Sequence, residues 1–380
     1  MDQGPPLEEF DLDPVRGFLP PVDPLRELPI GYEPWEEASA VMPGVLLAGR
    51  PRTRLDRLPL LETDALRTPP ELWRAFLLVS VLANAYILGE QPQAAALPRQ
   101  LASPLDRLAR RLGVAPVFNY AAIVLRNWWR VTPQDPVGLG NIAPLCSFLG
   151  GVDEGWFLMT MTAVEADGAR VPGALLDIAC AVASDELKLA EQGLNIVADC
   201  LTDMTETLAR LSEGCDPYVF YHRIRPILDA WQEPGVVYEG VAESPQMWIA
   251  ASAAECALVQ ALDSGLAVRH AGHGGDFLRS MRPYMPPGHR RFIEYLEAAP
   301  SLRDYVVRAG SVSLWQTYND VIRLLSTFRR RHMEISVRYV AKQARADGPV
   351  YGTSGTNFVH LLQEVRQDTK GTGIASEPAN

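Results

Sequence analysis

The sequence Ser311-Val-Ser-Leu-Trp-Gln-Thr-Tyr-Asn-Asp-Val-Ile-Arg-Leu-Leu-Ser-Thr-Phe-Arg-Arg-Arg-His-Met-Glu-Ile-Ser-Val-Arg-Tyr-Val340 decides how this chain is interpreted. Its apolar side chains recur at alternating spacings of four and three residues, which marks one face of an α-helix; they are Leu314, Tyr318, Val321, Leu325, Phe328, Ile335 and Tyr339. His332 lies on this face, whereas the three arginines before it occupy other faces. A buried histidine either forms a hydrogen bond with a neighbour or binds a metal. The hydrogen-bonded core histidine is the more common case, so the helix alone leaves both interpretations open.

Helical spacing continues through most of the chain. It predicts helices over residues 71–88, 104–112, 116–129, 154–165, 171–211, 217–231, 246–266, 274–282, 288–298, 301–309 and 311–340. Sustained alternation of apolar and polar residues is absent from the sequence, so a β-sheet core is not expected. We therefore predict an all-α fold.

Composition divides the chain into segments. Residues 1–45 hold ten acids, two bases and many prolines, which predicts an extended arm draped over the body. The Pro/Gly-rich stretch 131–141 is the best candidate boundary between a small helical domain, 46–140, and a large helical domain, 141–380, that contains His332. Within the large domain, residues 341–358 are rich in Gly, Ala and Ser, which predicts a mobile loop able to close over a site.

Charge and cysteine usage exclude several classes of function. The formal net charge of -11 argues against non-specific binding to nucleic acids, which requires a basic surface. The five cysteines form no CxxC pair, so we expect free thiols in a reducing cytoplasm rather than a disulfide framework. The longest apolar run, residues 76–88, is shorter than the roughly 20 residues that span a membrane. We expect a cytoplasmic protein, a monomer, with no nucleic-acid or membrane partner.

Other catalytic motifs do not compete with His332. His270 and His273 have a spacing that could bind a metal, but glycines surround them, and a Gly-rich turn is the more common reading of such a segment. The sequence contains no HExxH, GxSxG or P-loop motif. A single axial histidine on a helix holds the heme of globins and peroxidases, which favours a ligand role for His332. Arg329, one turn earlier, could meet a heme propionate or an acidic side chain.

A second segment, Asp216-Pro-Tyr-Val-Phe-Tyr-His-Arg-Ile-Arg-Pro226, suggests a ligand site. Asp216 is a candidate N-cap with proline at the first helical position. Phe220, Tyr221 and Arg225 then crowd one side of the predicted helix, and an arginine beside aromatic rings suits a planar aromatic molecule that carries a carboxylate. A surface arginine that covers apolar area with its stem remains the alternative.

Taken together, the motifs of the chain resemble those of the indoleamine 2,3-dioxygenase family, which are heme enzymes of tryptophan catabolism. The resemblance runs from Gly17 to Gln367 and includes Gly17-Phe-Leu-Pro, Leu77-Leu-Val-Ser-Val-Leu-Ala-Asn-Ala-Tyr86, Leu97-Pro-Arg, Gly113-Val-Ala-Pro, Asn127-Trp128, Gly155-Trp-Phe-Leu, Val237-Tyr-Glu-Gly240 and Gly272-His-Gly-Gly. The most specific match is Met281-Arg-Pro-Tyr-Met-Pro-Pro-Gly-His-Arg290.

The resemblance implies a heme b site. His332 matches the proximal ligand of the heme iron, and Arg329 and Asp263 match an ion pair beside this ligand and the propionates. Ser252 and Ala253, with Ala251, match a stretch of small residues over the heme edge.

The resemblance also implies a substrate pocket. Phe220 matches an aromatic of the distal pocket, and Arg225 the arginine that holds the substrate carboxylate. Thr160 matches a position where animal enzymes have a serine near the indole nitrogen and the bound O2. The remaining matches are two pocket-lining residues, a neighbour of Phe220 and a loop residue that reaches the amino acid: Tyr120, Trp156, Tyr221 and Thr353.

Three positions depart from the animal pattern: Tyr221 replaces a phenylalanine, Thr160 a serine and Ile123 a cysteine. The implied activity is cleavage of the indole C2–C3 bond of L-tryptophan with O2, giving N-formylkynurenine, with an electron donor to keep the iron ferrous. Three alternatives remain: a same-fold heme enzyme of secondary metabolism that acts on a modified tryptophan, a heme-binding sensor, and a helical scaffold without heme.

Overall fold

The computed structural model describes residues 4–229, 231–344 and 358–375, and most of these are helical. The α-helices are α1 (Glu33–Ala40), α2 (Met42–Leu47), α3 (Pro51–Leu55), α4 (Pro69–Leu88), α5 (Arg99–Leu112), α6 (Tyr120–Ile123), α7 (Val152–Asp167), α8 (Val171–Ala183), α9 (Leu187–Ala209), α10 (Leu211–Gly214), α11 (Pro217–Val219), α12 (Ala257–Gly265), α13 (Gly272–Ser280), α14 (Pro287–Ala298), α15 (Leu302–Ala309), α16 (Val312–Ser336) and α17 (Phe358–Thr372).

Each strand in the described residues is only two residues long. In the described residues they form two pairs: β1 (Ala96–Leu97) parallel to β4 (Val237–Tyr238), and β2 (Trp129–Arg130) antiparallel to β3 (Ile142–Ala143). The prediction of an all-α fold without a sheet core is confirmed.

Helix α16 presents the predicted apolar face to the core. Ser311 caps its first turn by accepting a hydrogen bond from the Leu314 N–H at 3.3 Å. The predicted positions from Leu314 to Phe328 are buried, and so is Tyr339, whereas Ile335 is half-buried. The helix packs along α9 and α17. It ends at Ser336, and a π-helical turn, Val337–Ala341, continues its direction.

Helix α4 forms the centre of the N-terminal half. A capping box of Thr68 and Glu71 begins the helix, with Pro69 at its first position. At 20 residues it is long and apolar enough to cross a membrane, but 78% of its most apolar window is buried inside the protein. Its hydrophobicity is that of a core helix.

The predicted N-terminal arm is partly helical. Residues 4–31 run over α14, where the rings of Phe10 and Phe18 meet Phe292 with centroids 5.3 and 6.2 Å apart. Gly17 allows the close approach, because its φ is +61° and a Cβ there would lie 2.7 Å from the Ala169 carbonyl oxygen. The extended arm over residues 1–45 stays a prediction, and two helices, α1 and α2, begin within these 45 residues.

Two predicted helices are shorter than expected. The stretch 171–211 is interrupted between α8 and α9, where Asp185 takes a left-handed φ of +58° that no α-helix permits. In the stretch 116–129 only α6 forms. After this turn the side chain of Asn127 bonds both the N–H and the carbonyl of Cys146, at 2.7 and 2.9 Å, so the chain is held against a distant loop.

The boundary stretch 131–141 is an ordered loop between β2 and β3. Asn141 closes it through side-chain hydrogen bonds with the backbone of Thr132 and Pro136 at 2.8 to 3.1 Å. One connected set of buried apolar residues extends from Phe10 to Tyr339. The division into a small and a large domain stays a prediction.

Candidate heme and substrate site

The imidazole of His332 has the properties of a metal ligand. It lies near the end of α16 and is half-buried. Burial, and after it the positive charge of Arg329, lower the pKa of His332 to about 4, so the ring is neutral at pH 7. Neither ring nitrogen has a hydrogen-bond partner among the described residues, which argues against a satisfied core histidine.

Arg329 and Asp263 form a buried ion pair one turn before His332. Asp263 comes from α12, so the pair joins this helix to α16. Burial alone would raise the pKa of Asp263, but Arg329 and His270 together outweigh burial and lower that pKa. The Nε of Arg329 has no hydrogen-bond partner within the described part of the chain. The guanidinium therefore keeps a donor for a second anion.

The small-residue stretch before α12 is held by a capping box. The Ser252 hydroxyl accepts a hydrogen bond from the Ala254 N–H at 3.3 Å, and the Glu255 carboxylate accepts one from the Ser252 N–H at 2.9 Å. The same carboxylate accepts from the Tyr120 N–H at 2.7 Å. This box starts a 3-10 turn, Ala253–Glu255, where the sequence predicted one helix over 246–266. Only α12 forms there.

The segment after Asp216 is not one regular helix. Asp216 caps α11 as predicted, accepting from the Tyr218 and Val219 N–H groups at 2.8 and 3.2 Å. A π-helical turn, Phe220–Ile224, and a 3-10 turn, Arg225–Ile227, then follow. The predicted helix 217–231 is wrong beyond its first turns, because Pro226 has no N–H for the helical hydrogen-bond ladder.

Phe220 joins the helices that carry the other site residues. Its ring centroid is 4.8 Å from that of Phe157 on α7 and 5.8 Å from that of Tyr339, two turns beyond His332. The Tyr339 hydroxyl donates to the Cys215 carbonyl at 2.6 Å, which fixes this contact. Phe157 was not among the predicted site residues, although it lies one turn before Thr160 on the same helix.

Arg225 is mostly buried beside aromatic and acidic groups. Its guanidinium carbon lies 5.4 Å from the centroid of the Tyr221 ring, and one of its nitrogens lies 3.4 Å from an Asp229 oxygen. Its side chain is 12% exposed. This burial argues against an arginine lying on the protein surface. A ligand carboxylate would reach a guanidinium that Asp229 already holds in place.

Thr160, Tyr120 and Trp156 have their polar atoms engaged. The buried Thr160 hydroxyl donates to the Trp156 carbonyl at 2.7 Å, so its lone pairs remain for accepting. The Tyr120 hydroxyl donates to the Glu165 carboxyl at 2.9 Å. The Trp156 indole N–H donates to the Arg210 carbonyl at 2.9 Å. Its role in lining the pocket stays a prediction.

The predicted mobile loop and the His270–His273 segment remain to be placed. Thr353 and residues 345–357 of the predicted loop lie outside the described residues. In the His270–His273 segment, His273 is exposed on α13 while His270 lies between two carboxylates. A Cβ on Gly275 would lie 2.1 Å from the His270 carbonyl oxygen, so the glycine serves close packing. The predicted Gly-rich turn is wrong, because Gly272, Gly274 and Gly275 belong to α13, and within the described residues His270 and His273 form no metal-ligating group.

The residues fit heme b. In the described ranges, no group of three His, Cys, Asp or Glu side chains could hold a metal ion directly. A lone neutral imidazole suits an iron whose other ligands come from a porphyrin. The spare Arg329 donor suits a propionate, and the small residues at 251–254 leave room for the edge of a planar ring.

Comparison with known proteins gives a consistent result. The family model described as indoleamine 2,3-dioxygenase matches residues 6–372. Indoleamine 2,3-dioxygenase 2 of Homo sapiens is 33% identical over 386 residues, covering 96% of this chain and 94% of the relative. Indoleamine 2,3-dioxygenase nanC of Aspergillus nanangensis is 34% identical, with 96% of both chains covered. The enzyme of Saccharomyces cerevisiae is 31% identical over 97% of this chain and 86% of its own. The chain therefore belongs to the indoleamine 2,3-dioxygenase family of heme-dependent oxidoreductases, which act on indoles with O2.

Proposed function

We propose that this protein cleaves the indole C2–C3 bond of L-tryptophan with O2 and releases N-formylkynurenine, the first step of the kynurenine pathway of tryptophan catabolism. The observation that carries this proposal is the mostly buried Arg225 on the same short segment as Phe220. The two offer a carboxylate partner and an aromatic contact a few residues apart. An aromatic α-amino acid presents both groups.

The proximal residues would hold the cofactor. His332 would bind the heme iron through its neutral imidazole, and Arg329 would donate to a propionate from the nitrogens that Asp263 leaves available. Ser252 and Ala253 would lie against the heme edge. When bound, heme b supplies the iron that activates O2 for attack on the indole ring.

The distal residues would position tryptophan. Arg225 would bind its carboxylate, and the rings of Phe220, Tyr221 and Tyr120 would line the pocket, with Trp156 at its edge. Thr353 is assigned to the amino acid part of the substrate from the family resemblance. These residues orient the substrate and exclude water.

Thr160 would accept a hydrogen bond from the indole N–H. Its own hydroxyl proton already points to the Trp156 carbonyl, so acceptance is the remaining capacity of its oxygen. The extra methyl group, compared with the serine of animal enzymes, narrows the pocket near the indole nitrogen. This favours an unsubstituted indole nitrogen over an N-alkylated one.

The experiment begins with the purified protein loaded with heme and showing a Soret band. The protein is reduced without oxygen, mixed with L-tryptophan and O2, and followed by the absorbance of N-formylkynurenine. We expect N-formylkynurenine to form at a rate proportional to the concentration of heme-loaded protein. Full heme loading and reduction without product would contradict the dioxygenase and favour the sensor. Turnover of a ring-substituted tryptophan but not of L-tryptophan would favour the enzyme of secondary metabolism.

The cellular setting is also part of the proposal. We propose a cytoplasmic protein because all five cysteines are free thiols, four of them buried, as in a reducing compartment. An electron donor would keep the iron ferrous between turnovers. We propose a monomer, which analytical ultracentrifugation tests directly.

A further inference from the structure

Four charged side chains from different elements form a continuous chain on the proximal side of the proposed heme site. Arg329 of α16 pairs with Asp263 of α12. The other Asp263 oxygen lies 3.2 Å from Nε2 of His270, in the turn before α13. The Nδ1 of His270 lies 3.1 Å from an oxygen of Asp368 on α17. This row of four side chains thus connects α16, the helix of His332, to the C-terminal helix α17.

The position of His270 between two carboxylates determines its protonation. The Nδ1 of His270 forms a hydrogen bond with Asp368, whereas the Nε2 lies at ion-pair distance from Asp263 without hydrogen-bond geometry. A ring that lies between two carboxylates is stabilised in its charged form, the imidazolium. Burial alone would lower the pKa of His270, but the carboxylates of Asp263 and Asp368 outweigh it and raise that pKa.

Other charged groups face His270 from the packed elements. Arg329 opposes its protonation, and Asp368 favours it. The Arg279 guanidinium of α13 lies 3.3 Å from the position of a Cβ on Gly275, and the Glu364 carboxylate of α17 lies 3.3 Å from one on Gly274. Within the described residues, the ion pairs of His270 are those with the two aspartates. The bridge is therefore set mainly by Asp263 and Asp368.

We propose that His270 is a positioning residue, which holds Asp263 against Arg329 and ties α17 to the proximal side of the heme site. The part concerning heme rests on the proposed function. A charged His270 partly neutralises Asp263, so Asp263 neutralises less of the charge of Arg329. More of that positive charge then remains to attract a propionate. A neutral residue at this position leaves Asp263 to neutralise Arg329 alone. Heme retention should therefore depend on pH through His270 and weaken when its charge is lost.

The test compares His270→Gln and Asp368→Asn with a matched control, His273→Gln. His273 is exposed, lies three residues further on and makes none of these contacts. Two properties are measured: the rate at which heme passes to excess apomyoglobin, at about pH 6 and about pH 9, and amide hydrogen exchange of residues 358–372 in the apoprotein. The double variant of His270 and Asp368 completes a cycle that detects their coupling.

The expected results separate the two parts of the proposal. In His270→Gln, heme loss at the lower pH should be about tenfold faster than in wild type, the effect of one charge-assisted hydrogen bond, and the difference should shrink at the higher pH. Exchange of α17 should be faster in His270→Gln and Asp368→Asn, and their effects should not add.

Heme release and α17 exchange equal to those of His273→Gln would refute the positioning role. Additive effects in the cycle would refute the bridge to Asp368. If the wild-type protein takes up no heme, the proposed function and the heme part fail together, while exchange of α17 still decides whether His270 ties this helix. Because Asp368 lies nearer the surface than Asp263, its variant provides the test should His270→Gln not fold.

Discussion

Replacing Arg225 with alanine should reduce kcat/KM for L-tryptophan by roughly 30- to 1,000-fold. Each hydrogen bond to a charged group contributes about 1.5–3 kcal/mol, and a guanidinium can offer two to one carboxylate. Two such bonds would amount to about 3–6 kcal/mol, but Asp229, 3.4 Å away, already neutralises part of the charge. A loss of about 2–4 kcal/mol in transition-state stabilisation remains, and 1.36 kcal/mol corresponds to a factor of ten.

The assay is steady-state formation of N-formylkynurenine at subsaturating tryptophan, per heme bound. Arg223→Ala is the matched control, since Arg223 lies on the same turn but is exposed. Arg225→Lys provides a second comparison, because lysine keeps the charge and loses the planar fork. We expect it to fall between wild type and alanine.

Tryptamine, which lacks the carboxylate, separates substrate binding from damage to the fold. The Arg225→Ala variant should process tryptamine as the wild type does, whatever the absolute rate. A loss of tenfold or less for L-tryptophan, or an equal loss for tryptamine, would refute the assignment of Arg225 as the carboxylate partner. The arginine would then serve to pack Tyr221, whose ring lies 5.4 Å away.

Four further predictions test the site and the fold. His332→Ala, purified after incubation with heme, should lack the Soret band, whereas its far-UV circular dichroism should equal that of wild type. Retention of heme by this variant would contradict the role of His332 as ligand. Thr160→Val should reduce kcat/KM for L-tryptophan by about fivefold to tenfold, since one hydrogen bond is lost at constant shape, and N-methyltryptophan should show no such loss. Burial raises the pKa of Glu165 to about 7, above its unfolded value, so the folded state binds more protons than the unfolded state. The free energy of unfolding should therefore fall as the pH rises from about 4.5 to 7. Denaturant titrations should show that this pH dependence disappears in Glu165→Gln. Gly275→Ala should destabilise the protein by about 2 kcal/mol or more, because its Cβ would lie 2.1 Å from the His270 carbonyl, whereas Gly138→Ala, with open space around the Cβ, should be nearly neutral.

Strict periodicity explains why α16 was predicted well. Its apolar positions keep the four-and-three spacing over 25 residues, and burial of that face is enough to specify the helix. The Ala- and Leu-rich stretch 246–266 forms an α-helix only from Ala257 to Gly265. There the capping box of Ser252 and Glu255 decides where structure begins, and its strength depends on Tyr120, which lies more than 130 residues away.

Long-range contacts also explain what the sequence could not provide. Tyr120, Glu165 and Cys256 come together because α6, α7 and the start of α12 pack on one another, with Glu165 accepting from the tyrosine at 2.9 Å and the thiol at 3.1 Å. No local spacing links these residues. The same holds for Asp368, which lies on α17, a helix the sequence analysis did not predict.

The two arginines of the proposed site differ in how their acidic partners are buried, and this difference matches their proposed roles. Arg329 and Asp263 are 9% and 8% exposed, so breaking the pair would leave an unpaired charge inside the protein. A resident propionate would have to join this pair through the donor that remains. Arg225 is 12% exposed, but its partner Asp229 is 39% exposed and can be solvated when a ligand arrives. A substrate carboxylate can therefore bind Arg225 at little cost while Asp229 stays beside it, partly solvated. The buried pair of Arg329 and Asp263 suits a cofactor that stays bound, and the more exposed pair of Arg225 and Asp229 suits a substrate that exchanges.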